Sequence, residues 1–242
     1  MDTVKFNKKK VKVVAHRGLS GLERENTCPA FVAAGNRSYF GVETDVHVTR
    51  DGVFVVVHDE TLERVTNGKE RINVETSGWE DFKDVILPDI DGTYIRRDVK
   101  VPLLSEYISI CKKYEKTCVL ELKNEFTLED TKRMIEEIRS LGYLDSMIFI
   151  SFSFNNCVNL RELLPYAKIQ FLTSKLVDDE LVEKLKKHKL DLDIYFKSLD
   201  KKSVKLLHSN GILVNCWTVD KKSDAEALVR MGVDYITSNI LE

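Results

Sequence analysis

Apolar residues recur along this chain in two rhythms. Short β-branched and aliphatic runs alternate with stretches in which leucines, isoleucines and methionines return every three or four positions. The first rhythm marks buried strands and the second amphipathic helices. Residues 11–15 form the first run, which ends at His16-Arg17-Gly18. Thr27-Cys-Pro-Ala predicts a helix start, with Thr27 as N-cap and Pro29 in the first turn. Ala30, Phe31, Ala33 and Ala34 would face the core, and Gly35 would end that helix. Residues 41–48 form the second strand, and alternation places Glu43, Asp45 and His47 on one face. The turn Arg50-Asp51-Gly52 leads into residues 53–57, which end at His58-Asp59. The link between these two strands is too short for a helix, so a regular strand–helix unit is broken here.

From Pro102 the alternation becomes regular. Helices are predicted over residues 105–114, through Leu128, Met134, Ile135, Ile138 and Leu141, through Leu160, Leu163 and Leu164, and over 177–185, 201–209 and 223–231. The intervening strands are 117–122, 147–150, 169–172, 192–195, 212–216 and 234–237. Repeated strand–helix alternation implies a parallel sheet with right-handed crossovers. The number of units predicts an α/β fold of the (β/α)₈ TIM-barrel type. Nine strand candidates compete for eight staves, which leaves residues 53–57 or the last strand as the irregular one. Residues 62–101 are less periodic and are expected to form a small insertion after the third strand. No linker divides the chain, so residues 1–242 are expected to be a single barrel domain.

Composition narrows the function classes. The chain is 43% hydrophobic and 31% charged, with a net charge of -2. That balance suits a globular core and offers no footprint for nucleic acid. The five cysteines are odd in number, scattered and without a CxxC pair, which fits a reducing compartment. The N-terminus lacks an apolar signal core and no run is long enough to span a bilayer, so a cytoplasmic location without stable membrane insertion is expected. Oligomeric state is not readable from these features.

The chemistry-bearing residues sit at strand ends, where barrels build their sites. Glu43, Asp45 and Glu121 form an all-oxygen set suited to a hard divalent cation. His16 and His58 can supply one general base and one general acid. Arg17 and Lys123 complement a phosphate. Together they predict phosphoryl transfer or phosphodiester hydrolysis. Glu25 is read as support for the inner groups. Trp217 is read as a pocket wall able to meet a quaternary ammonium group. His188 and His208, on predicted helices, are read as structural. His47 shares the acidic face but is placed outside the site.

The blocks His16-Arg17-Gly18, Glu25-Asn26-Thr27-x-x-Ala30-Phe31, Glu43-x-Asp45-Val-x-x-Thr49-x-Asp51-Gly52, Val57-His58-Asp59-x-x-Leu62-x-Arg64-x-Thr66, Val101-Pro102-x-Leu104, Glu121-Leu-Lys123 and Trp217-Thr218-Val219 follow one another in order. In that order and spacing the chain resembles the glycerophosphodiester phosphodiesterase family. Near the end, Thr237-Ser238-Asn239-Ile240 departs from the family's Thr-Asp or Thr-Asn followed by Arg-Pro or Tyr-Pro. The resemblance implies a barrel with a small insertion and hydrolysis of glycerophosphodiesters to glycerol 3-phosphate and an alcohol. It implies one divalent cation (Mg²⁺, Ca²⁺ or Mn²⁺) on Glu43, Asp45 and Glu121. It also implies an acid/base pair in His16 and His58, and phosphate contacts from Arg17 and Lys123. Two competing expectations are a phospholipase D-type enzyme on lysolipids or sphingolipids, and a non-catalytic binder of phosphate ligands. The acidic insertion (Glu75, Glu80, Asp81, Asp84, Asp89, Asp91) argues against the membrane-facing alternative. The presence of both histidines and all three acids argues against the binder.

Overall fold

The computed structural model describes residues 2–242. Nine strands form one sheet: β1 (Lys12–Ala15), β2 (Gly41–Val48), β3 (Phe54–Val56), β4 (Thr117–Leu122), β5 (Met147–Ser151), β6 (Lys168–Thr173), β7 (Asp191–Tyr195), β8 (Val214–Trp217) and β9 (Tyr235–Ser238). Eight of them run parallel and close a ring, because β1 pairs with β9 on one side and with β2 on the other. The ninth, β3, pairs antiparallel with β2 outside the ring. The irregular candidate is therefore the 53–57 run, and the last strand is a regular stave. The barrel expected from the pattern is present.

Seven helices cover the ring: α1 (Cys28–Gly35), α2 (Leu104–Lys113), α3 (Leu128–Ser140), α4 (Phe154–Leu163), α5 (Asp179–His188), α6 (Lys201–Ser209) and α7 (Lys222–Met231). Thr27 caps α1 by accepting from the Ala30 N–H, and Thr127, Ser153, Asp178 and Asp200 cap α3 to α6 in the same way. Two boundaries differ from the periodic reading. Helix α5 begins after Asp178, which serves as its cap, and ends at left-handed Lys189. Strand β8 starts late because the Ile212 N–H donates to the Leu207 carbonyl and the Leu213 N–H to the Asp191 carboxylate. No helix among the described residues is long and apolar enough to cross a membrane.

The outer faces of the staves meet the helices in one large core, while Val14, Val119, Ile148, Ile150, Leu172 and Tyr235 pack together inside the barrel. A second, smaller core belongs to the segment between β3 and α2. It gathers Val55, Val57, Leu62, Val65, Val74, Phe82, Leu87, Val99 and Val101. Strand β3 joins the two by its own alternation: Phe54 and Val56 enter the main core, while Val55 and Val57 enter the smaller one. His58 follows two residues after the end of that strand.

Candidate active site

Strand β2 carries Glu43, Asp45 and His47, all buried, on its inward face. Its register with β4 sets Asp45 opposite Glu121. Glu43, Asp45 and Glu121 each present a carboxylate oxygen within 4.8 Å of the others. Such a cluster is expensive in a low-dielectric interior unless positive charge offsets it. Two side chains contribute that charge. Lys123 Nζ lies 2.7 Å from Glu121 Oε1 and 3.4 Å from Asp45 Oδ1. Arg17 Nε lies 3.4 Å from Asp45 Oδ2, and the Arg17 backbone N–H donates to Glu43 Oε2 at 2.8 Å.

The compensation is incomplete. Burial and the neighbouring carboxylates Asp45 and Glu121 hold the Glu43 carboxyl well above its usual range. Burial and Asp45 push Glu121 up to about 7. Burial acts on Asp45 too, but Arg17 and Lys123 outweigh it and keep its carboxyl low. Asp45 Oδ1 is buried without a hydrogen bond. Three oxygen donors that repel one another, one of them unpaired, fit a hard divalent cation.

The loop after β1 reaches the cluster through local backbone chemistry. Gly18 sits at φ +75°, and a Cβ there would lie 2.7 Å from Ala30, so only glycine lets the loop rest on α1. Arg17 at φ +52° and Asn26 at φ +54° occupy the left-handed region, uncommon for a residue such as arginine. Asn26 Nδ2 donates to Asp45 Oδ2 at 2.7 Å, while its Oδ1 accepts from Thr44 Oγ at 2.7 Å. The strained turn thus aims Arg17 and Asn26 at the same carboxylate.

The two imidazoles line one pocket with Glu43 and Glu121. His16 Nδ1 lies 2.7 Å from Asn239 Oδ1. The orientation of that amide is set by Asp220, whose Oδ2 accepts from Asn239 Nδ2 at 2.6 Å. Asn239 Oδ1 is then an acceptor, so His16 carries its proton on Nδ1 and leaves Nε2 as a base. Burial, aided by the Arg17 charge, lowers His16 to about 4, and the ring is neutral at neutral pH. His58 Nδ1 is 2.6 Å from Asp59 Oδ1. Burial lowers His58 as well, while Asp45 and Asp59 favour its charged form. Arg64 spans Asp59 and Glu25 with hydrogen bonds of 2.6 to 3.2 Å. Glu25 also accepts from Arg17 at 2.9 Å. Burial opposes ionisation of Glu25 and of Asp59, but these arginine bonds win and hold each at about 2.

His47 takes a different part. Its Nδ1 meets Glu75 Oε1 at 2.7 Å and its Nε2 meets the His58 carbonyl at 3.2 Å. It fastens the backbone behind His58 to the small core's segment and does not line the pocket. His208 pairs with Asp234 at 2.9 Å, and His188 meets Phe154 edge to face at 5.1 Å between centroids. Neither reaches the site. Asn239 and Asp220 behind His16, and Asp59 and Arg64 beside His58, carry no chemical signal in the sequence that marks them as partners of the imidazoles. Asp59 and Arg64 were at least within the motif blocks.

Trp217 and Phe152 form a wall, edge to face at 5.6 Å, with Tyr195 5.7 Å from Trp217. The pocket holds about 100 Å³. That is room for roughly three waters, or for a group of comparable bulk such as a three-carbon polyol.

The sequence pattern of the Glycerophosphoryl diester phosphodiesterase family matches residues 16–241. A glycerophosphodiester phosphodiesterase of Caldanaerobacter subterraneus subsp. tengcongensis is 28% identical over 232 residues, covering 95% of this chain and 94% of that relative. Another, from Bacillus subtilis, is 27% identical and is covered over 84% of its length. Among solved structures, an Oleispira antarctica phosphodiesterase in complex with the product sn-glycerol-3-phosphate superposes with a TM-score of 0.87. It is 26% identical, with 95% of this chain and 93% of that one covered.

Proposed function

The chain belongs to the glycerophosphoryl diester phosphodiesterase family and is a phosphoric diester hydrolase; from that premise we propose how its residues carry the reaction and on what. The substrate is a glycerophosphodiester, cleaved to glycerol 3-phosphate and an alcohol. Glu43, Asp45 and Glu121 hold one divalent cation, Mg²⁺ or Ca²⁺, with Mn²⁺ a further fit to the same oxygens. When bound, such a cation would supply Lewis-acid chemistry to the phosphate. Arg17 and Lys123 offset the remaining phosphate charge.

His16 Nε2 takes the proton from the attacking hydroxyl as its oxygen bonds to phosphorus. His58, whose Asp59 partner stabilises the imidazolium, gives a proton to the departing alkoxide as the other phosphorus–oxygen bond breaks. Glu25 acts indirectly, by fixing Arg17 and Arg64, and Trp217 walls the pocket. The observation that carries this reading is the pairing of a three-carboxylate cluster with two imidazoles whose Nδ1 atoms are both engaged, each leaving Nε2 available.

The test is hydrolysis of glycerophosphocholine and glycerophosphoethanolamine with Mg²⁺ or Ca²⁺, with EDTA, and with His16→Ala. Both EDTA and the variant should abolish turnover. Activity that survives both would overturn the assignment. ³¹P NMR of the reaction separates attack by the substrate's own 2-hydroxyl, which gives a transient cyclic phosphate, from attack by water, which gives none.

A further inference from the structure

Away from the carboxylate cluster and Arg17, two buried polar atoms on neighbouring strands β7 and β8 have no hydrogen-bond partner. Asp193, in the middle of β7, is 2% exposed, and its Oδ1 makes no hydrogen bond. Trp217 Nε1, one strand over on β8, is likewise buried and unpaired. In the β7–β8 register Asp193 lies opposite Asn215, and Trp217 follows two places later on the same face. Both residues line the pocket that holds His16 and Glu121. Other polar groups in this part of the barrel are satisfied: Asn215 Nδ2 donates to Gln170 Oε1 at 3.0 Å, and Thr237 Oγ to Asn215 Oδ1 at 3.3 Å.

Buried donors and acceptors are rarely left unpaired without a use. Here the two residues that carry one of each line the same cavity. Burial, with the Glu121 charge nearby, holds the Asp193 carboxyl well above its usual range, which favours its uncharged form. It therefore competes poorly for a cation and suits a neutral partner. The indole N–H only donates. A hydroxyl group is the neutral partner that satisfies both, accepting from Trp217 and donating to Asp193. Ile150 and Leu172 line the same cavity and suit the carbon skeleton that carries such a hydroxyl.

We propose that Asp193, together with Trp217 Nε1, recognises a free hydroxyl of the substrate's polyol moiety and sets specificity for it over phosphodiesters that lack one. This rests on the phosphodiesterase reading above, in which glycerol is the part of the substrate that keeps free hydroxyls.

The experiment is calorimetric titration of the Mg²⁺-supplemented protein with sn-glycerol 3-phosphate and, separately, with inorganic phosphate. Asp193→Leu should bind sn-glycerol 3-phosphate roughly tenfold more weakly and phosphate as before. Asp193→Asn, which keeps an acceptor oxygen, should fall between. A melting scan reports folding, and removal of an unpaired carboxyl should leave Tm unchanged or higher. Equal weakening of both ligands, or undiminished affinity for sn-glycerol 3-phosphate in both variants, would overturn the proposal. Wild-type protein that turns over no glycerophosphodiester would instead sink the catalytic reading. Hydrolysis by the wild type with variants that bind normally would sink this one alone.

Discussion

Asn239 and Asp59 stand behind the two imidazoles, and they differ in charge. Asn239 holds His16 in one tautomer through a neutral amide, whereas Asp59 favours the protonated form of His58. Their loss should therefore be felt at different steps. Asn239→Ala should lower kcat roughly 10–100-fold with KM little changed. It should slow glycerophosphocholine and a p-nitrophenyl diester alike, because both need the attacking hydroxyl deprotonated. Asp59→Asn should slow glycerophosphocholine far more than the p-nitrophenyl diester, whose leaving group needs no acid. Equal losses on both substrates for Asp59→Asn would refute the division of labour. The inward Glu43 and Asp45 were legible in the sequence because strand alternation places them together. Asn239 was not. It meets His16 across 223 positions, a contact that exists only once the ring is closed. Asp193 was equally silent, since an acid within a short strand carries no sign of whether it will find a partner.

At the scale of elements, β3 is the informative case. Its β-branched run announced a strand, but nothing in the run stated its partner. Pairing antiparallel with β2 keeps it out of the ring and turns its two faces toward different cores. The two faces should respond separately to truncation. Val55→Ala should cost about 2 kcal/mol and show as faster hydrogen exchange within residues 62–101, with the barrel strands still protected. Val56→Ala should instead lower the Tm of the whole barrel. Identical exchange maps for the two variants would mean that the small core does not loosen independently.

At the scale of the molecule, the end of the chain ties the outside of the barrel together. Glu242 accepts from Thr3 at 2.6 Å and from the Ser38 N–H at 2.6 Å, and pairs with Lys5 at 2.8 Å. Burial works against its ionisation, yet these bonds outweigh burial and hold the carboxyl at about 2, against 4.5 when free. A lowered folded value stabilises above the unfolded one. The contribution is complete above about pH 4.5 and is lost as pH falls toward 2. Glu242→Gln should therefore reduce stability by about 1–2 kcal/mol at pH 7. The gap in Tm between variant and wild type should close between pH 4.5 and 2. A gap that persisted at the acid end would show that shape, not charge, makes the tie. The closed barrel was legible because each of its regular units repeats the same local pattern. The tie was not, because it joins segments from opposite ends of the chain.

The double allegiance of β3 bears on how this scaffold can be re-engineered. Anyone exchanging residues 62–101 for another segment would sever Val55 and Val57 from the residues they pack against, and His58 follows the same strand. Grafts should therefore be cut downstream of Asp59 and rejoined before Leu103, with the donor's apolar residues chosen to fit those two valines. A splice placed upstream would misaim an imidazole.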